Sequence, residues 1–198
     1  MVEKISRRSF LKGSALATAA AGLVDPAAAL AAPAAAHGAG APPLAGPDAV
    51  AIALNVNGSV QHLKVEPRMT LAEALRGPLG LTGTKIGCNR GACSACTVLL
   101  DGQPVCSCTL LAVEVGERKV RTIEGLAKGE ALHPVQAAFV EHDALQCGYC
   151  TPGMVMSCVA LLERNPHPGP DEIRAAISGH ICRCGSYPHV VAAVLGVR

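Results

Sequence analysis

Gly87-Cys88-Asn89-Arg90-Gly91-Ala92-Cys93-Ser94-Ala95-Cys96 puts three thiols on one short loop. The spacing Cys-x4-Cys-x2-Cys is that of a loop wrapped around a [2Fe-2S] cluster. Three thiolates can surround such a group only if the chain turns tightly. Gly87 and Gly91, with small Ala92, Ser94 and Ala95, leave room for backbone N–H groups to point at sulfur. Those donors stabilise negative charge on a cluster and help set its potential. Structural zinc also takes four thiolates, but its knuckles usually use pairs of cysteines, and the triple Cys88/Cys93/Cys96 is unusual for them. The fourth ligand has to come from outside the loop. Cys106 and Cys108 are both at hand, and a period of two puts them on the same strand face, so spacing leaves both open.

Working outward, residues 50–56 alternate loosely and are rich in β-formers, Asn57-Gly58 supplies a tight turn, and residues 60–65 return as a hairpin. Thr70 with Glu73 three residues on reads as a capping box opening a short helix over 71–76, stopped by Gly77-Pro78. Residues 97–100, an Asp101-Gly102 turn and residues 104–109 form a second hairpin, and 119–123 is a further strand. Residues 49–125 therefore read as a small α+β domain interrupted by a cysteine loop whose spacing is that of plant-type ferredoxins.

The periodicity then changes to 3.6. A helix is expected over 134–142 with Val135, Phe139 and Val140 facing one way. Pro152 sits in the first turn of the next, with Met154, Val155, Cys158, Leu161 and Leu162 as its apolar stripe and Asn165-Pro166 as its end. A short helix over 171–177 and a last one over 190–195 complete four helices, a small bundle spanning 130–198. Cys147-x2-Cys150 precedes the Pro152 helix, and Cys182-x-Cys184 fills the loop before the last one. Two cysteines one residue apart suit a shared metal far better than two crossing disulfides. Cys158, among Met, Val and Leu, reads as a buried apolar thiol.

Composition closes off other classes. The chain of 198 residues has a net charge of only +2 and 2% aromatics, which leaves neither a basic stripe nor stacking platforms for nucleic acid. No His-Glu-x-x-His, P-loop, G-x-G-x-x-G or G-x-S-x-G element occurs. Nine of the 10 cysteines fall in tight knots, so the chemistry is expected to sit in sulfur.

The N-terminus reads as an address. Arg7-Arg8 ahead of a weakly apolar stretch over 14–23 marks twin-arginine export, with Ala29-Leu30-Ala31 as a cleavage site and Ala34-Ala35-Ala36 as a second. Asp25-Pro26 interrupts the apolar run short of the roughly 20 residues a span needs, so stable membrane insertion is not expected. Residues 1–31 are thus read as a twin-arginine signal peptide and 32–48 as a flexible Ala/Pro-rich segment. Export of folded protein fits a cofactor inserted beforehand, and the implied location is the periplasm.

These motifs together resemble the small iron-sulfur subunit of the xanthine oxidase-type molybdenum hydroxylases. The resemblance spans roughly residues 50–195 and rests on residues 87–98, Ser107-Cys108-Thr109, Gln146-Cys147-Gly148-Tyr149-Cys150-Thr151-Pro152-Gly153 and Ile181-Cys182-Arg183-Cys184. It implies a ferredoxin-like (β-grasp) domain followed by a four-helix-bundle domain, each with one [2Fe-2S] cluster. By the family register the first cluster takes Cys88, Cys93, Cys96 and Cys108, leaving Cys106 as an extra thiol. The second takes Cys147, Cys150, Cys182 and Cys184, and Gln146 and Cys184 lie near the pterin of a partner's molybdenum cofactor. Ser94 and Gly179-His180 depart from the glycine and glycine-asparagine common there. Tyr187-Pro188 is most like the bacterial aldehyde oxidoreductase and isoquinoline oxidoreductase branches.

The resemblance further implies a large molybdenum-binding subunit and an acceptor, either an FAD-binding subunit or a haem protein such as a c-type cytochrome. The complex would oxidise an aldehyde to a carboxylate with oxygen from water, or hydroxylate an N-heteroaromatic ring. Electrons would leave through the two clusters, and no residue of this chain would perform the hydroxylation. A free-standing periplasmic ferredoxin is the competing class, though a carrier usually shows many acids for docking, and here 15 acids face 17 bases. The loops over 146–153 and 182–187, small and neutral apart from Arg183, are expected against the large subunit.

Overall fold

The computed structural model describes residues 46–197. Residues 1–31, read above as a signal peptide, and most of the segment 32–48 lie outside these residues. A mixed sheet and four later helices make up the described part.

The first hairpin forms as expected. Strands β1 (Val50–Val56) and β2 (Ser59–Val65) pair antiparallel across Asn57-Gly58, both at positive φ. Helix α1 (Leu71–Arg76) follows; the Thr70 hydroxyl accepts the Glu73 N–H at 3.3 Å, and Glu73 Oε2 accepts the Thr70 N–H at 2.8 Å. Strands β3 (Thr97–Leu100) and β4 (Gln103–Cys106) form the second hairpin. A short β5 (Lys119–Arg121) completes a five-stranded sheet in the order β2-β1-β5-β3-β4. β5 runs parallel to β1 and antiparallel to β3.

β3 is buried along its whole length because it has a packed layer on each side. Val98 and Leu100 belong to a core with Leu54, Leu71, Leu75 and Val120. Leu99 points the other way, into the helical core with Met154, Val155 and Phe139. Strand period two thus serves two different cores with one strand.

The helices are α2 (Pro134–Glu141), α3 (Thr151–Arg164), α4 (Pro170–Ile177) and α5 (Tyr187–Gly196). Each carries a proline in its first turn, where the missing N–H removes only a donor that has no helical partner. α3 lies on β3 and β4 and is buried from Gly153 through Leu161. Two expectations need correcting. Val140 does not join Val135 and Phe139 in the core but is 62% exposed, because α2 buries a narrower face. α5 starts a turn earlier than its apolar stripe suggests, at Tyr187, with Pro188 inside it.

His133 caps α2, with Nδ1 accepting the Val135 N–H at 3.2 Å. Burial pushes its imidazole below the ordinary 6.5, Arg121 adds to that push, and Glu163 opposes it. A histidine depressed in this way takes up a proton less readily folded than unfolded. The stability it contributes is present above the unfolded value and is lost as pH falls through the folded one. Replacing His133 with Asn keeps a capping acceptor that does not titrate. The variant is expected to lose less stability than the parent between about pH 7 and about pH 5 in unfolding midpoints, and an equal loss would contradict this.

Candidate iron-sulfur site

The loop over residues 88–96 is built from a backbone that few side chains tolerate. Asn89, Gly91 and Ser94 all have left-handed φ, at 53°, 73° and 55°. This winding turns successive N–H groups inward. Cys88 Sγ receives the N–H of Arg90 at 3.4 Å and of Ala92 at 3.2 Å, and Cys93 Sγ receives the Cys88 N–H at 3.3 Å. Gly91 donates to Cys108 Sγ at 3.3 Å. A side chain at Gly91 would also crowd Thr109 Cγ2, 3.1 Å away.

The strand argument for Cys106 and Cys108 is overturned. β4 ends at Cys106, and Ser107–Thr109 is a single 3-10 turn. The turn is held because the Ser107 hydroxyl donates to the Cys96 carbonyl at 2.7 Å, and the Thr109 hydroxyl to that of Cys106 at 2.9 Å. Cys108 is thereby buried beside Cys96. Cys106 is half-buried, 3.9 Å from both the Gly91 carbonyl and the Ser94 hydroxyl.

The remaining thiols gather in a second group. Cys150, at the start of α3, faces Cys182, and Cys147 faces Cys184. Cys150 and Ser186 are buried, while Gln146, Cys147, Arg183, Cys184 and Gly185 form an exposed rim. The first group is formed by Cys88, Cys93, Cys96 and Cys108, linked in the same pairwise way. Among the described residues, no three His, Cys, Asp or Glu side chains converge as the shell of a single ion requires. Two spread sets of four sulfurs, with N–H donors aimed at them, fit a two-iron group better than a lone zinc.

The electrostatics are uneven within each group. The Arg90 N–H, with the other donors, lowers Cys88 to about 7 against the effect of burial. Burial pushes Cys108 up to about 11 and Cys150 to about 12. Burial also raises Cys182, but the Ser186 hydroxyl and the N–H groups of Ser186 and Cys184 outweigh it and bring it to about 6. Cys108 and Cys150 therefore need a cation against them before they ionise, as metal coordination provides. Cys158 is fully buried away from both groups, as the sequence suggests.

The two groups meet. The Ile181 N–H, one residue before Cys182, donates to the Cys93 carbonyl at 3.2 Å. The Tyr149 hydroxyl donates to the Ile86 carbonyl at 2.7 Å. A cleft lined by Cys88, Cys93, Cys147, Tyr149, Cys150 and Cys182 lies between them. Gly153, in the first turn of α3, rests on the backbone of Ser94 and Ala95; a Cβ there would overlap the Ser94 carbonyl oxygen and sit 3.1 Å from that of Ala95. Gly153 and Ser186 are thus buried within the chain itself, not on an outer face as expected from composition. Sequence reasoning also missed Ser186 and Tyr187 as partners of Cys182; their only signal was their position beside the last cysteine.

A 2Fe-2S iron-sulfur cluster binding domain matches residues 54–127, and a [2Fe-2S] binding domain matches residues 122–195. Residues 4–24 match a twin-arginine translocation pathway signal sequence. The aldehyde oxidoreductase iron-sulfur-binding subunit PaoA of Escherichia coli O157:H7 is 44% identical over 205 residues, covering 96% of this chain and 86% of that one. The chain belongs to the iron-sulfur small subunits of the molybdenum hydroxylases. The nicotine 6-hydroxylase small subunit of Paenarthrobacter nicotinovorans is 49% identical over 148 residues, 75% of this chain and 89% of that one. A solved quinoline 2-oxidoreductase chain from Pseudomonas putida 86 superposes with a TM-score of 0.74 at 46% identity, covering 75% of this chain and 92% of that one. As a member of this family, the chain is a subunit of an oxidoreductase complex, its homologues being small subunits of multi-subunit enzymes.

Gly153→Ala tests the contact between the small-subunit loops. The added methyl has no free space, so the variant is expected to lose about 1–3 kcal/mol of stability, read from denaturant midpoints. A midpoint equal to the parent's would show that α3 does not rest on the Ser94–Ala95 backbone.

Proposed function

We propose that this chain is the electron-transfer subunit of an aldehyde-oxidising molybdenum hydroxylase exported to the periplasm. The observation that carries the reading is the pair of four-thiol groups held one backbone hydrogen bond apart. We assign Cys88, Cys93, Cys96 and Cys108 to one [2Fe-2S] cluster and Cys147, Cys150, Cys182 and Cys184 to the other. The Gly91 donor and the adjacent Cys96 support Cys108 over Cys106. When bound, the clusters supply one-electron steps between a two-electron oxidation at molybdenum and the acceptor.

The chain's own residues do the rest. The backbone N–H groups of Cys88, Arg90, Gly91 and Ala92 hold negative charge on the first group's sulfurs. The Ile181–Cys93 hydrogen bond and the Gly153 contact keep the two ligand loops in register. The exposed rim at Gln146, Cys147 and Cys184 is the face we assign to the large molybdenum-binding subunit and its pterin. An FAD-binding subunit or a c-type cytochrome then takes the electrons.

Aldehyde is favoured over an N-heteroaromatic substrate by one observation. The similarity to PaoA extends over 96% of the chain, into the export segment, whereas that to the nicotine enzyme covers 75%. The N-heteroaromatic reading keeps its own support in the 49% identity of the latter.

Metal analysis and EPR of alanine variants test the ligand assignment. The parent is expected to hold about four irons and give two reduced-state signals. Cys93→Ala and Cys108→Ala should lose one signal, Cys150→Ala the other, and Cys106→Ala neither. Zinc in place of iron, loss of the same signal in Cys93→Ala and Cys150→Ala, or loss in Cys106→Ala with retention in Cys108→Ala would each overturn it.

A further inference from the structure

Ser186 is only 6% exposed, and its hydroxyl lies 3.2 Å from Cys182 Sγ. Its neighbour Tyr187 closes the same loop from the other side. The Tyr187 hydroxyl accepts the Cys182 N–H at 2.8 Å and donates to the His180 carbonyl at 2.8 Å. His180 is itself buried and anchored through Nε2 to the Ser157 hydroxyl on α3, also at 2.8 Å. The loop carrying Cys182 is therefore tied to the core helix through one phenol.

The first thiol group has no such arrangement. The donors on Cys88, Cys93 and Cys108 are all backbone N–H groups. Ser94 does offer a hydroxyl to a sulfur, but to Cys106, which lies outside the proposed ligand set. A side-chain hydroxyl on a ligand sulfur is thus a feature of the second group.

We infer that Ser186 sets the reduction potential of the second cluster through its hydrogen bond to Cys182, with Tyr187 as the positioning residue that holds Cys182 beside that hydroxyl. The inference rests on the reading of Cys182 as an iron ligand. A sulfur bound to iron carries no proton, so the hydrogen between the two atoms belongs to Ser186. On reduction one electron enters, no bond breaks, and negative charge on the sulfurs grows. A donated hydrogen bond stabilises the reduced form more than the oxidised one and raises the potential. The hydroxyl thereby makes the second cluster, placed to receive electrons first, easier to reduce than it would be without that bond.

The test is an EPR-monitored redox titration of the full, cluster-loaded chain. Ser186→Ala should shift the second signal's midpoint to a more negative potential and leave the first unchanged, while Ser186→Thr, which keeps the hydroxyl, should match the parent. Tyr187→Phe should shift the second midpoint in the same direction and speed loss of that cluster's iron to EDTA. A parental midpoint in Ser186→Ala, or equal shifts of both signals, would overturn the inference. If Ser186→Ala loses the second signal altogether, retention in Ser186→Thr supports the hydroxyl's role, and the same loss in both refutes it. A parental midpoint and iron-loss rate in Tyr187→Phe would remove Tyr187 from the account. Cys182→Ala separates the two levels: retention of both signals there defeats the ligand reading, whereas loss of the second signal there with no shift in Ser186→Ala defeats only the inference.

Discussion

The backbone of Ser94 and Ala95 is pressed against Gly153, and that contact brings the loop of Cys88, Cys93 and Cys96 against the start of α3 at Cys150. A loop wound through three left-handed residues is not held by its own backbone, since Asn89 and Ser94, unlike Gly91, bear conformational strain there. It is held on one side by β3, whose Thr97 continues directly from Cys96, and on the other by the first turn of α3. The same turn of α3 begins at Cys150, so a single close approach fixes one thiol of the second group against the loop of the first. Glycine is required because the neighbouring atoms are main-chain carbonyls, which cannot swing aside as a side chain would.

β3 extends this constraint into the core. Val98 and Leu100 anchor it to the layer with α1, and Leu99 to the helices. The sheet and the helices therefore share a strand, which lets the loop at its N-terminal end be positioned by both. The two thiol groups differ in how they stabilise charge. In the first, the chain winding itself supplies N–H donors; in the second, a short loop with fewer turns adds a serine hydroxyl and a tyrosine brace. Backbone donors are fixed by the fold, whereas a side-chain donor is open to change at one codon.

Much of this was legible in the residues. The hairpin turn at Asn57-Gly58, the Thr70–Glu73 capping box and Pro152 in the first turn of α3 act through local rules and stand where their residues place them, whereas α5 starts a turn before its apolar stripe. The cysteine spacing marked the chemistry because loop winding is also local. What sequence could not show came from contacts between distant segments. Ser107 bonds back to Cys96 and breaks the strand after Cys106, so a period-two argument on Cys106 and Cys108 could not hold. Gly153 looked like an outward-facing small residue, and only the tertiary packing reveals that Ser94 and Ala95 occupy its space. Val140 was misjudged because helical period alone does not say how wide the buried face is. Ser186 and Tyr187 carry no signal until the loop is closed.

The central claim is that the two clusters sit side by side, joined through the Ile181–Cys93 hydrogen bond. Two paramagnetic centres that close perturb each other's spectra. The most direct measurement is low-temperature EPR of the full-length chain, first with one cluster reduced and then with both. The account predicts that full reduction broadens or splits both signals, and that Cys93→Ala or Cys150→Ala restores a simple, unsplit remaining signal. Two signals that simply add on full reduction, with no mutual broadening or splitting, would contradict it.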